Sequence, residues 1–192
     1  MSNERKKQTQ TLVLGAILTA LVIVLQLMGS FIRFGMFSIS LVLIPIVIGA
    51  ATCGWKIGAW LGFVFGAAVL LSGDAAAFLT VDVFGTILTV LLKGTACGLV
   101  AGLVYKAIEK KNRYVAVVAA AVACPIVNTG VFLLGCLVFF LPTITEWGLA
   151  SGFENAAAYM FLGLAGGNFL VELAVNIILS PVIMRVLNFK KD

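Results

Sequence analysis

The chain has 192 residues, 62% of them hydrophobic and 11% charged, where a soluble domain keeps about a quarter of its residues charged. It has no histidine, which excludes Ser-His and Cys-His catalysis, His-ligated metals and the usual intramembrane protease chemistry. The formal net charge of +5 would suit a nucleic-acid partner only if the cations formed one binding face, and their positions decide against that.

Apolar stretches near 20 residues long recur throughout, the length a helix needs to cross a bilayer. They predict an all-α integral membrane protein made of a single transmembrane domain, residues 1–192, with six transmembrane helices. The first span, about 11–30, follows the cationic Arg5, Lys6 and Lys7. It is longer than a signal-peptide core and no A-x-A-like cleavage site follows, so it reads as a retained span. Its small residues Ala16 and Ala20 form a smooth strip among Leu, Val and Ile that could meet another protein. Span two, about 38–53, is interrupted by Pro45, and span three, about 57–72, is short. Only Cys53-Gly54-Trp55-Lys56 separates them, so they form either a tight spanning hairpin or a re-entrant pair; the loop charges favour spanning. Spans four, five and six are read at about 81–105, 114–141 and 158–187.

With six spans and a cytoplasmic N-terminus, the inside segments hold Arg5, Lys6, Lys7, Lys56, Lys106, Lys110, Lys111, Arg113, Arg185, Lys190 and Lys191, while the outside loops hold Arg33 alone. This is the positive-inside bias of a membrane protein, with both termini cytoplasmic. The basic charge is therefore topological and calls for no nucleic acid. Asp74, Asp82, Glu146 and Glu154 fall on the outside loops.

Gly58, Gly62 and Gly66 on span three, and Gly94, Gly98 and Gly102 on span four, repeat every fourth residue. Small residues at this spacing let helix backbones approach closely in lipid, here within one molecule in preference to a dimer. The cysteines Cys53, Cys97, Cys124 and Cys136 show no C-x-x-C spacing and read as small buried apolar residues.

Against this background Lys93, Asn128, Asn168 and Glu172 stand near the middle of spans four, five and six. A charge at the bilayer centre costs about 3 kcal/mol on insertion scales, so such residues face a partner or a wet cavity. On span four, Asp82, Thr86 and Lys93 share a face over about three turns, with Thr89 close to it. On span six, Asn168, Glu172 and Asn176 form a stripe about 12 Å tall. Asn128 and Thr129 follow Pro125, which frees a backbone carbonyl one turn earlier. Two readings coexist: a Lys93–Glu172 ion pair with asparagines fixing the packing, or the floor and walls of a ligand site. The apolar, aromatic loop 29–37 with Arg33, and loop 142–155 with Trp147 and Phe153, are either a lid over that site or interfacial anchors.

These features together resemble the substrate-binding S components of energy-coupling factor (ECF) vitamin transporters. The likeness rests on the length, the six spans, the Ala16-x-x-x-Ala20 pair and the stretch Ile39-Ser40-Leu41-Val42-Leu43-Ile44-Pro45-Ile46-Val47-Ile48-Gly49. It extends to Gly54-Trp55-Lys56-x-Gly58 and to Asn168 followed by Glu172. The resemblance implies a high-affinity binder of a water-soluble vitamin in the prokaryotic plasma membrane, with a pocket in the outer half formed by spans four to six and loops one, three and five. Lys93, Asn128, Asn168, Glu172, Thr86, Thr89, Arg33 and Trp147 are the expected substrate-binding residues, with Lys93 and Glu172 as first contacts or as floor. Pantothenate leads the ligands, and folate- and pyridoxine-type molecules are the others. The resemblance also implies docking of Ala16 and Ala20 on a transmembrane coupling subunit that carries two ATPases, and toppling of the binder in the membrane to release its ligand. The chain has no Walker A motif, so ATP would be used by those partners and no cofactor or metal is expected here. The alternative is a solitary small-solute permease or channel. Its polar path beyond Asn176 and Lys93 is thin, with only Ser180, Arg185 and Thr95. An intramembrane enzyme lacks the residues for its chemistry.

Overall fold

Long runs of Leu, Val, Ile and Ala with few breakers leave the backbone no hydrogen-bond partner in lipid except its own turns, so helices form. The computed structural model describes residues 3–31, 33–34, 37–38 and 41–189. Helix α1 is Asn3–Phe31, α2 is Leu43–Cys53, α3 is Trp55–Ser72, α5 is Val83–Ile108, α6 is Arg113–Phe139 and α9 is Gly167–Phe189. Shorter helices α4 (Ala76–Leu79), α7 (Leu141–Ala150) and α8 (Ala156–Ala158) lie in the connections, and a π-helical segment, Tyr159–Gly166, leads into α9. A hairpin of two-residue strands, β1 (Arg33–Phe34) and β2 (Phe37–Ser38), joins α1 to α2, with Arg33 opposite Ser38.

Among the described residues, five helical stretches are long and apolar enough to cross a membrane: Gln8–Gly29, Trp55–Ser72, Val83–Ile108, Arg113–Phe139 and Ala156–Leu187. The expected second span falls short of that length. It is the 11-residue α2, about 16 Å long against a hydrocarbon core of about 30 Å. Pro45 does not interrupt it, because it sits in the first turn, where a missing N–H is tolerated. α2 stays short because protein rather than lipid surrounds it: it packs on α1, α3, α5, α6 and α9, and Leu43, Ile46 and Val47 are fully buried.

The α3–α5 contact is built from glycine. A methyl group added at Gly58 would meet the Gly98 carbonyl at 2.5 Å, one at Gly62 would land on the Gly94 carbonyl, and one at Gly66 would meet the Val90 carbonyl at 2.7 Å. The two glycine rows therefore face each other antiparallel within one molecule, as their spacing suggests. Gly102 extends the seam to Trp55. Cys97, Cys124 and Cys136 are buried, Cys53 is half-buried, and all four are free thiols.

Several contacts gather the chain's turns at one end of the bundle. Cys53 approaches the Thr11 carbonyl at 3.9 Å, and Arg113 donates to the Leu187 carbonyl at 3.1 Å and to the Tyr105 hydroxyl at 3.2 Å. Lys56, Lys106, Lys110 and Lys111 are exposed at this basic end. The side chains of Lys6 and Lys7, and Lys190 and Lys191 entirely, lie outside the described residues. From the basic end α2 reaches only about halfway along its neighbours, and the remaining half of the interior falls to α5, α6, α9 and the connecting loops.

Candidate functional site

Lys93 stands about 15 Å along α5 from its start at Val83, and Asn128 about 16 Å back from the end of α6 at Phe139. Both are therefore near mid-membrane. Glu172 (8% exposed), Asn128 (5%), Thr89 (4%), Thr86 (1%) and Asn176 (0%) are all buried. Asn128 and Glu172 interact side chain to side chain across the α6–α9 contact. Glu172 is also the strongest opposite charge acting on Lys93. Asn128 and Glu172 of the expected polar cluster thus come together, Lys93 stands within reach of the Glu172 charge, and Asn168 stands one turn before Glu172, half-buried at the head of α9.

The surroundings of Lys93 are more aromatic than the sequence suggests. Its ammonium lies 5.2 Å from the ring centre of Phe132 on α6 and 5.8 Å from that of Phe65 on α3, within reach of a cation–π attraction. Phe132 meets Phe78 of α4 edge to face at 5.7 Å, and Phe78 in turn meets Phe140 at 5.1 Å and Trp147 of α7 at 5.6 Å. Trp147 is thus linked to Lys93 through two rings. The 142–155 connection folds down on this chain: Phe153 packs on Tyr159 at 5.3 Å. The side chains of 30–40, Arg33 and the aromatics of the first loop among them, lie outside the described residues; the backbone of β2 lies against α9.

Among the described residues, three buried side-chain atoms have no hydrogen-bond partner: Asn128 Oδ1, Asn176 Oδ1 and Thr89 Oγ1. An unpaired buried acceptor costs roughly 1–3 kcal/mol, so such atoms are uncommon in a native interior. The threonines around Thr89 make the contrast. Thr86 donates to the Asp82 carbonyl at 2.6 Å and Thr95 to the Leu91 carbonyl at 2.7 Å, whereas Thr89 turns its side chain toward Gly135 on α6. Asp82, expected at the mouth of the polar face, is the N-cap of α5: its Oδ1 accepts the Gly85 N–H at 3.0 Å. Asn176 uses its amide on the Glu172 carbonyl at 2.8 Å, and only its oxygen is open.

The two interior prolines differ as well. Pro181 cannot bond to the Ile177 carbonyl, and Ser180 donates to that carbonyl instead at 2.7 Å. Pro125, about one turn before Asn128, cannot donate to the Ala121 carbonyl one turn before it. Upstream of Asn168, the π-helical turn Tyr159–Gly166 widens the helix, a feature found mostly at functional sites. Gly163 and Gly166 make room for it: a methyl at Gly163 would meet the Tyr159 ring at 2.7 Å.

A second polar cluster is not anticipated by the sequence. Gln26 near the end of α1 donates to Asp74 Oδ2 at 2.6 Å, and Ser72 lies 3.0 Å from the same oxygen. Gln26 is only 7% exposed, and a single glutamine in an apolar run was the available signal. Phe65, Phe78 and Phe132 gave no signal, because phenylalanine is ordinary in lipid-facing helices.

Five long apolar helices around a buried polar cluster define a multi-pass integral membrane protein. The family model of the substrate-specific component of ECF transporters matches residues 10–184, and the chain belongs to that family. It is the substrate-specific membrane subunit of a transporter, located in the prokaryotic plasma membrane. No curated protein and no solved structure matches the chain.

Proposed function

We propose that the chain is the high-affinity binder of a water-soluble vitamin or related micronutrient, with pantothenate first among the candidates and folate- or pyridoxine-type ligands behind it. The site is the Lys93–Asn128–Glu172 cluster. Asn168, Thr89 and Asn176 extend it, Thr86 and Trp147 lie at its edges, and Arg33 belongs to the loop beside it. The observation that carries this reading is the set of buried unpartnered oxygens on Asn128, Asn176 and Thr89, together with the buried Glu172 carboxyl and the half-buried Lys93 ammonium. A purely structural polar network would be expected to satisfy itself.

The basic end of the bundle is cytoplasmic, both termini lie there, and α2 serves as a sixth, partial span. The open half of the interior then faces outward, as uptake requires. Ala16 and Ala20 lie exposed on α1 and suit close docking of a transmembrane coupling subunit with two ATPases, which hydrolyse ATP while this chain holds no cofactor. On the cytoplasmic side of the site Cys97, Ala101, Ala116, Val117, Ala120 and Ile183 form a fully buried apolar core. That core favours a binder over a solitary permease or channel.

Mass spectrometry of small molecules that co-purify with the detergent-solubilised protein tests the reading. A named vitamin is expected with the wild type and absent from the Lys93→Ala/Glu172→Ala variant. Tight retention by the variant sinks the site. Transport by the chain reconstituted alone sinks the dependence on partners.

A further inference from the structure

The two charged groups of the site are unequally satisfied. Glu172 is 8% exposed and in contact with the Asn128 side chain, and its helix carries Asn176 packed on its own carbonyl. Lys93 has three N–H donors, yet its ammonium lies against the faces of Phe65 and Phe132. Ring faces attract the charge without replacing hydrogen-bond acceptors. Lys93 is also partly exposed. The rings beside its ammonium come from two different helices, Phe65 from α3 and Phe132 from α6, so the ammonium is held among helices of the bundle. The nearby orphan atoms have the opposite need: Asn128 Oδ1 and Asn176 Oδ1 are pure acceptors awaiting donors.

We propose that the site takes an acid: an anionic group seats on the Lys93 ammonium between the Phe65 and Phe132 rings, and hydroxyl or amide groups elsewhere on the same molecule donate to Asn128 and Asn176. The proposal rests on the vitamin-binding reading and narrows it to ligands that are anionic at one pole and donor-rich at the other. The ring faces hold the ammonium in place, and the ligand's oxygens supply the acceptors that the rings cannot. A cationic ligand would place like charge beside Lys93 and leave both amide oxygens to compete with Glu172 for its donors.

The test is a competition of matched pairs on the purified chain in nanodiscs: pantothenate against pantothenol, biotin against biotinol, nicotinate against nicotinamide, with folate as a further acid and thiamine and pyridoxamine as cations. The tightest ligand is expected to be an acid. Where it has a neutral twin in the panel, the twin binds about 10- to 100-fold more weakly, the value of one hydrogen bond to a charged group; where it is folate, the corresponding loss is read in Lys93→Gln. Lys93→Gln is expected to bring acid and neutral twin to equal affinity, and Lys93→Arg to restore part of the preference. A cation or neutral molecule as the tightest ligand, or an acid bound no better than its twin by the wild type, overturns the proposal and leaves vitamin uptake standing. Binding of no member of the panel overturns the vitamin reading and this proposal with it. The wild-type comparison of an acid with its neutral twin does not depend on whether any variant folds.

Discussion

Two seams cross the bundle, and they are built on opposite principles. Along α3 and α5 the backbones touch through Gly58, Gly62, Gly94 and Gly98, with carbonyls facing the Cα atoms of the partner helix. Dispersion and weak Cα–H···O contacts hold such a seam, and nothing in it is left unpaired. Along α6 and α9, Asn128, Glu172 and Asn176 bring charge and amides into the same bilayer depth and leave two amide oxygens open. One interface is made of backbone contacts alone, and the other keeps buried amide oxygens without a partner among the described residues. The proposed function turns on that difference.

The comparison breaks first at its tight side. Gly62→Leu places a side chain on the Gly94 carbonyl, and the expected cost is about 3 kcal/mol or more. The variant should aggregate in size-exclusion chromatography, and a monodisperse protein with an unchanged melting temperature would show that the seam is looser than described. A smaller effect is expected at the Gln26–Asp74 contact. Gln26→Leu removes a buried donor at 2.6 Å and should lower stability by about 1–2 kcal/mol, read as a drop in melting temperature with ligand affinity little changed. Smallest of all is Ala16→Phe/Ala20→Phe. Both positions are exposed on α1, where substitutions usually shift free energies by about 0.5 kcal/mol or less. Ligand affinity of the isolated chain should stay within about twofold. Uptake through the assembled transporter should fall, and unimpaired uptake would remove Ala16 and Ala20 from the docking surface.

The sequence discloses these two seams to different degrees. Glycine at every fourth position has one physical meaning in a lipid-facing helix, so the α3–α5 seam is legible from residue spacing alone. Lys93, Asn128 and Glu172 are legible as a cluster because each is costly alone in lipid and the cost falls when they meet. The length of α2 is not legible. Residues 41–51 are apolar throughout, and hydropathy does not tell a helix buried in protein from one bathed in lipid; the five helices around α2 decide it. The aromatic chain from Lys93 through Phe132 and Phe78 to Trp147 is hidden for a related reason, since it joins four elements distant in sequence. The π-helical turn before Asn168 leaves only the trace of Gly163, Gly166 and Gly167. Thr86 shows the limit of face-sharing arguments: it lies on the helix face of Lys93, yet its hydroxyl is bonded to its own helix.

The central claim is that the Lys93–Glu172 pair serves a ligand rather than the fold, and one variant addresses it directly. Lys93→Met/Glu172→Gln removes both charges while nearly keeping side-chain volume, a replacement that is often neutral or stabilising for the fold itself. Thermal unfolding in nanodiscs, with and without the co-purifying small molecule, is the measurement. The account predicts a ligand-free melting temperature equal to or above that of the wild type, and no further rise when the molecule is added. A ligand-free protein that melts far below the wild type, or one that is still stabilised by the molecule, would contradict it.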